Sequence, residues 1–409
     1  MRYRPLLFVV LFAACSSPRK EAPEYTLPPE WAPHEAVWFT YTGIAIDTVL
    51  DRMLMELDTT TLAVCVIDGD SIAQHIRARW DSLGIAPDRY RVEIAVDSLL
   101  SPVVRDAGPI FLRRRDGGLA VLDQAWNTYG DLNNEVRNSP AQLALEDSFP
   151  AMFAKRLGLP LVRTALVIEG GACEINGRGD LLQVEAVTLQ RNPGWSRDSI
   201  ANELERVFGA QRIIWLKEGM PDDAWHLEPR IHGNVYTWAT GGHVDEFCRF
   251  VNDSTVLLAW PEDDELADPV HAIARRRMEV NERILQQAGL HVLHAPVPVL
   301  EYRGLILDSL KDHHARLLAR YPEVHHGDSV RQLHAASYLN LLITNGRVFV
   351  PAYWHEGLSE EMRIKDERMR KLLRPLFPGR RIVPIDPRAI NRYGGGMHCW
   401  TQQQPEAKE

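Results

Sequence analysis

The chain predicts an α/β fold of five repeated blades, and three observations carry that expectation. Five times an apolar strand-like run leads through an amphipathic helix and a short break to another apolar strand. The units recur at comparable spacing, which marks a repeat architecture and not a stack of independent domains. Glycine-rich or acidic segments follow several units, and polar loops converging at one end of a ring would build a single shared site. The alternative is one open doubly wound sheet, but the Gly-Gly pairs follow no dinucleotide-binding spacing.

The first unit opens on Ala36–Phe39, passes through a helix over Thr48–Leu57 to Leu62–Ile67, and adds a helix over Ser71–Leu83 leading to Val92–Val96. The second runs from Leu119–Leu122 through a helix over Ala141–Leu157 to Leu161–Arg163. In the third, Leu181–Val184 leads through Arg197–Phe208 to Arg212–Leu216; Ile200, Leu204 and Val207 repeat at helical spacing and Gly209 ends the helix. The fourth joins Thr255–Leu258 to Leu290–Leu293 through Val270–Ala288. The fifth joins Arg347–Val350 to Arg381–Ile385 through Ser359–Phe377.

The N-terminus reads separately. Arg2 and Arg4 precede the apolar run Pro5–Phe12, followed by Ala13-Ala14-Cys15, a pattern too short to span a bilayer. Residues 1–15 are expected to be a signal peptide whose end resembles a bacterial lipobox, with Cys15 as the lipidated residue. Residues 16–26 then form a flexible tether and 27–409 a single β/α-propeller domain. The expectation is an exported protein that meets the membrane only through this lipid anchor.

A net charge of −9 over 409 residues argues against nucleic acid as a partner, because a phosphate binder needs a basic face. The five cysteines contain no CxxC pair, so this is no disulfide scaffold. Cys399 differs from the rest in closing the run Gly394-Gly395-Gly396-Met397-His398-Cys399. Three glycines clear the approach to its sulfur, which suggests an accessible nucleophile.

In Gly241-Gly242-His243-Val244-Asp245, an extended backbone would turn His243 and Asp245 to one face. Asp106 lies in the turn-rich Arg105–Pro109, and Glu169-Gly170-Gly171 reads as a tight turn or a further acidic contribution. A thiol protease would also pair Cys399 with His243, but would release no ammonia from arginine compounds. The pairs His313-His314 and His325-His326 read as solvated helix and loop. Adjacent helical residues point roughly a hundred degrees apart and do not readily chelate one ion.

Taken together, these segments resemble the agmatine deiminase and bacterial (Porphyromonas-type) peptidylarginine deiminase family. The opening Leu27-Pro28-Pro29-Glu30-Trp31-Ala32-Pro33-His34-Glu35-Ala36 is similar to that family's first motif. Ser337-Tyr338-Leu339-Asn340, Asn345–Tyr353 and the tail Thr401-Gln402-Gln403-Gln404-Pro405 are similar to its later ones. The resemblance implies the five-bladed pentein fold of guanidino-group-modifying enzymes, with no cofactor and no metal. It implies that Cys399 attacks a guanidinium carbon, that Asp106 and Asp245 accept its N–H groups, and that His243 moves protons. Asn340 and Glu169 would assist in binding substrate. The substrate stays open: motif wording is nearer agmatine, whereas export favours an arginine-containing peptide.

Overall fold

The computed structural model describes residues 22–95, 103–131 and 140–408. Cys15, the leader, the tether before Ala22 and Val96 lie outside the described residues.

Five sheets share one plan, an antiparallel hairpin followed by a parallel crossover. Ile110–Arg114 pairs antiparallel with Leu119–Ala125, which pairs parallel with Leu161–Val167. Glu174–Ile175, Asp180–Val184 and Arg212–Leu216 repeat the pattern. So do Cys248–Asn252, Thr255–Ala259 and His291–Ala295, and then Leu342–Ile343, Arg347–Pro351 and Arg381–Ile385. The remaining sheet of this kind takes its hairpin partner from the far end of the chain. Thr401–Pro405 runs antiparallel to His34–Tyr41, with Trp38 opposite Gln402, and His34–Tyr41 is parallel to Leu62–Asp68. The two ends of the chain therefore complete one sheet.

The crossover helices form where spacing and caps agree. The helix Arg197–Phe208 starts at Ser196, whose hydroxyl accepts from Ser199 N, and stops at Gly209 with φ 63°. Ile200, Leu204, Val207 and Phe208 are its buried face. Asp268 caps Pro269–Gln287 and Ser359 caps Glu360–Leu376 in the same way. Each buried Leu, Ile or Phe on such a face is worth roughly 1.5–3 kcal/mol.

Three expectations are corrected. The helix expected over 141–157 is two, Pro140–Asp147 and Phe149–Leu157, and Pro150 sits in the first turn of the second, where its missing N–H costs nothing. A further sheet, Arg230–His232, Val235–Tyr236, Ser329–Leu333 and Tyr302–Ile306, belongs to none of the five units. Its strands are short and come from distant segments, so no local period announces them. His314 is buried and not solvated, its Nδ1 accepting from Asp308 N at 2.9 Å; His325 is exposed and His326 Nδ1 accepts from Ser309 N. Cys65, Cys173, Cys248 and Cys399 are all free and buried. Among the described residues no helix is long and apolar enough to cross a membrane.

Candidate active site

Each of the five sheets delivers one segment to a common place, always from the residues just before its hairpin strand. Asp106 lies in the short helix Val104–Ala107, ahead of Ile110–Arg114. Glu169 and Gly171 precede Glu174–Ile175, and His243 to Glu246 precede Cys248–Asn252. Asn340 precedes Leu342–Ile343, and Cys399 precedes Thr401–Pro405. Loop ends carried on repeated sheets are rigidly placed without being part of any one core.

Gly171 marks the centre. A Cβ there would stand 2.8 Å from His243 Nδ1, 3.0 Å from Asp245 Oδ2 and 3.1 Å from Asp106 Oδ1. His243 Nδ1, which faces this space, is buried without a partner, as is the other oxygen of the Asp245 carboxylate. Orphaned buried polar atoms are costly, and their presence at one spot is the mark of a binding site.

The backbone that presents His243 and Asp245 is not extended throughout, as expected from sequence. His243 is extended (φ −61°, ψ 147°), but Val244–Glu246 tightens into a 3₁₀ turn, with Glu246 N donating to His243 O. Asp223 forces the bend by accepting from Gly242 N at 3.0 Å and His243 N at 2.7 Å. Both side chains still reach the centre.

His243 Nε2 sits 2.5 Å from Glu169 Oε2, and Arg191 Nε donates to the other Glu169 oxygen at 2.6 Å. Both Glu169 oxygens are thus committed to His243 and Arg191, and the carboxylate stands behind the imidazole. Burial opposes charge on His243, yet Asp106, Glu169 and Asp245 outweigh it and raise the imidazole to about 9. Burial would likewise raise Glu169, but Arg191 and His243 hold it at about 2.

Asp106 accepts from Gly171 N at 2.8 Å and from Tyr129 Oη at 2.9 Å. Burial, partly offset by His243, pushes it up to about 6. Thr128 and Tyr129 both adopt left-handed backbone, φ 52° and 57°, and Trp225 Nε1 holds the Tyr129 carbonyl at 2.8 Å. Such conformations cost about 1–2 kcal/mol per residue and concentrate at functional sites.

The sulfur of Cys399 lies 3.6 Å from Asp245 Oδ2 and 3.1 Å from Asn340 Nδ2. Asn340 Oδ1 in turn accepts from His398 N at 2.7 Å, fixing the turn that carries the thiol. The glycines act differently from expectation. Cys399 is only 4% exposed, so they do not lay the sulfur open to solvent. A Cβ on Gly395 would press to 2.8 Å from Sγ, and one on Gly396 to 2.5 Å from Asn340 Oδ1. They permit close packing around the thiol. Burial first, then Asp245, Glu246 and Asp106, push the thiol well above its ordinary value, so it holds its proton until positive charge arrives.

A second tier escaped sequence reasoning. His398 Nδ1 meets Asp245 Oδ2 at 2.8 Å, and its Nε2 lies 3.0 Å from Glu30 Oε1. Arg105 and Arg249 flank Glu30, and Arg249 Nε also pairs with Glu174 at 2.9 Å. Burial would raise Glu30, but His398, Arg105 and Arg249 hold it well below the carboxylate range. His398 stood inside the glycine-rich run and Glu246 directly after the His-x-Asp segment; Tyr129, Arg191 and Asp223 carried no local mark at all. Among the described residues, Asp245, Glu246 and Cys399 have ligand atoms within 4.8 Å of one another and could hold a metal ion. Burial and the charges of Asp245 and Asp223 push Glu246 well up, so an ion would have to displace protons from two of the three.

A model of the Porphyromonas-type peptidyl-arginine deiminase family matches residues 26–405. An agmatine deiminase of Ectopseudomonas mendocina (strain ymp) is 30% identical over 408 residues, covering 95% of this chain and 97% of the relative. One from Stutzerimonas stutzeri (strain A1501) is 29% identical over 416 residues, covering 95% of this chain and 97% of the relative. The solved agmatine deiminase of Enterococcus faecalis superposes with a TM-score of 0.71 at 22% identity, over 94% of this chain and 97% of that one. The mixed α/β fold is the one those enzymes share.

Proposed function

The chain belongs to the Porphyromonas-type peptidyl-arginine deiminase family, and from that premise we propose that it hydrolyses agmatine to N-carbamoylputrescine and ammonia through a covalent intermediate on Cys399. The chain is a guanidino-group deiminase, a hydrolase of C–N bonds in linear amidines. The observation that carries the finer reading is the convergence of Asp106 Oδ1, Asp245 Oδ2 and His243 Nδ1 on the space beside Gly171, with the sulfur 3.6 Å from Asp245.

A planar guanidinium presents its N–H groups in a fixed fork, which two carboxylates match by charge-assisted bonds. Asp106 and Asp245 orient it, and its positive charge offsets the carboxylates that keep the thiol protonated. With the cation bound, the thiol gives its proton to water, and the resulting thiolate attacks the guanidinium carbon. Protonated His243 gives its proton to the departing nitrogen, which leaves as ammonia. The imidazole, now neutral, takes a proton from water as that water attacks the thiouronium carbon. The C–S bond breaks, and the ureido product and the free thiol result. Proton transfer of this kind contributes typically 10²–10⁴-fold.

Agmatine as the substrate is supported by the relatives' activity and by a chamber whose reacting groups are buried, which suits a slender alkyl guanidine. We also infer that the five sheets close into a β/α propeller of one domain, which the pairing of the two chain ends supports. Export through residues 1–15, with a lipid on Cys15, is proposed from the leader pattern; palmitate labelling that persists in Cys15→Ala would refute it. The reaction itself is tested with agmatine, free arginine and arginine peptides. Agmatine should have the highest kcat/KM, and Cys399→Ala should abolish ureido product while Cys65→Ala and Cys248→Ala retain it. A peptide preferred over agmatine would reassign the substrate; turnover in Cys399→Ala would refute the nucleophile.

A further inference from the structure

Apart from the catalytic chamber, the described residues enclose a cavity of about 420 Å³ whose lining includes none of Asp106, His243, Asp245 or Cys399. Two contacts separate it from the thiol. Asn391, on its wall, donates to Gly395 O at 2.8 Å, and Ser337, next to the lining residue Ala336, donates to Glu246 O at 2.5 Å.

Its walls are largely aliphatic, from Val270, Val297, Val299, Leu300 and Leu333. Against them stands one buried carboxylate. Asp222 is 5% exposed, and its Oδ1 has no hydrogen-bond partner. Arg277, the guanidinium that acts on it electrostatically, is bonded to Gly219 O at 3.0 Å and paired with Glu218 at 3.4 Å. Burial accordingly pushes Asp222 up to about 7. His271, also buried in this lining, has an unpartnered Nε2.

The exposed end of the same cavity has the opposite charge. Arg303 and Arg392 are exposed lining residues that both act on His334 between them, and neither forms an ion pair among the described residues. Arg388 is already held by Asp386 at 2.5 Å, and Glu301 is the exposed carboxylate among the lining residues.

We propose that this cavity binds a basic α-amino acid, its side-chain cation on Asp222, its methylenes along the aliphatic wall and its carboxylate between Arg303 and Arg392. A buried carboxylate with one oxygen unpartnered recovers part of its desolvation cost when a cation reaches it. Guanidinium groups are the matching receptors for a carboxylate. An alkyl chain between the two charges suits the wall. The site does not depend on guanidine chemistry, so it can stand or fall separately from the deiminase reading.

The test is calorimetric titration of the full chain with L-lysine, which has no guanidino group to be hydrolysed. One saturable site per chain is expected. Cadaverine, which lacks the carboxylate, and norleucine, which lacks the side-chain cation, should each bind at least about tenfold more weakly, the equivalent of about 1.4 kcal/mol. Asp222→Asn should weaken lysine similarly, and Arg303→Ala, an exposed change that leaves the core intact, gives the same reading should the buried variant fail to fold. Absence of saturable binding, or equal binding of cadaverine or norleucine, overturns the proposal. Binding lost in Asp106→Asn but kept in Arg303→Ala would place lysine in the catalytic chamber and overturn it too.

Discussion

Glu169 and His243 are joined at 2.5 Å through Nε2, which leaves Nδ1 of the same ring bare and facing Asp106 at 3.9 Å. One carboxylate thus sets the orientation of the imidazole, while the unpartnered nitrogen is kept for the reaction. The arrangement stays fixed because Arg191 anchors Glu169 from behind.

Glu169→Gln tests that division. The glutamate is among the groups that raise His243 to about 9, so its neutral replacement lowers the imidazole. His243 is cationic below its pKa and loses its proton above it. The alkaline limb of the kcat profile, near pH 9 in the native protein, should therefore move to lower pH. At a pH above the lowered pKa, kcat should fall by about 10²-fold as the imidazolium is depopulated and loses the carboxylate that orients it. An unmoved limb would show that His243 is not the donor.

Asp106→Asn should exchange activity for stability. The folded carboxyl is raised to about 6, above its unfolded value, so the native state is penalised wherever the group is ionised in both. The penalty is absent below the unfolded pKa and grows to its full size above pH 6. Near pH 8 the variant should resist denaturant better by on the order of 1–3 kcal/mol, with no difference near pH 3. Its kcat/KM should fall by two orders of magnitude or more, since a guanidinium would lose a buried charged partner worth about 2–5 kcal/mol.

In Gly171→Ala the new methyl would occupy the reaction space, 2.8 Å from His243 Nδ1. The expected outcome is loss of guanidine binding with little change in the unfolding midpoint, because the residue needs no left-handed backbone. Retained turnover would move the substrate elsewhere.

Arg249→Met removes the cation shared by Glu30 and Glu174. Stranding buried carboxylates typically costs about 3–5 kcal/mol, so the midpoint should drop strongly. The double variant Arg249→Met, Glu174→Gln should recover part of the loss.

The parallel strands of the five units, and every crossover helix except that of the second unit, were legible because their determinants are local. Apolar period, Ser196 and Gly209 at the ends of Arg197–Phe208, and the strand Arg381–Ile385 needed no distant partner to be read. Cys399, His243, Asp245 and Asp106, picked out in the chain by the family resemblance of the segments that carry them, are brought together by the structure. The inserted sheet around Val235–Tyr236 was not, because its strands are stabilised by pairing with residues nearly a hundred positions away.

What the sequence determined by itself is the repeated strand–helix–strand frame and the segments that carry Asp106, His243, Asp245 and Cys399. Their states were decided by tertiary structure alone. Glu169 is held between Arg191 and His243, and the Cys399 thiol is pushed up first by its burial and then by Asp245 and Glu246. Charge and solvation are properties of what surrounds a residue, and here those surroundings come from five separate segments of the chain.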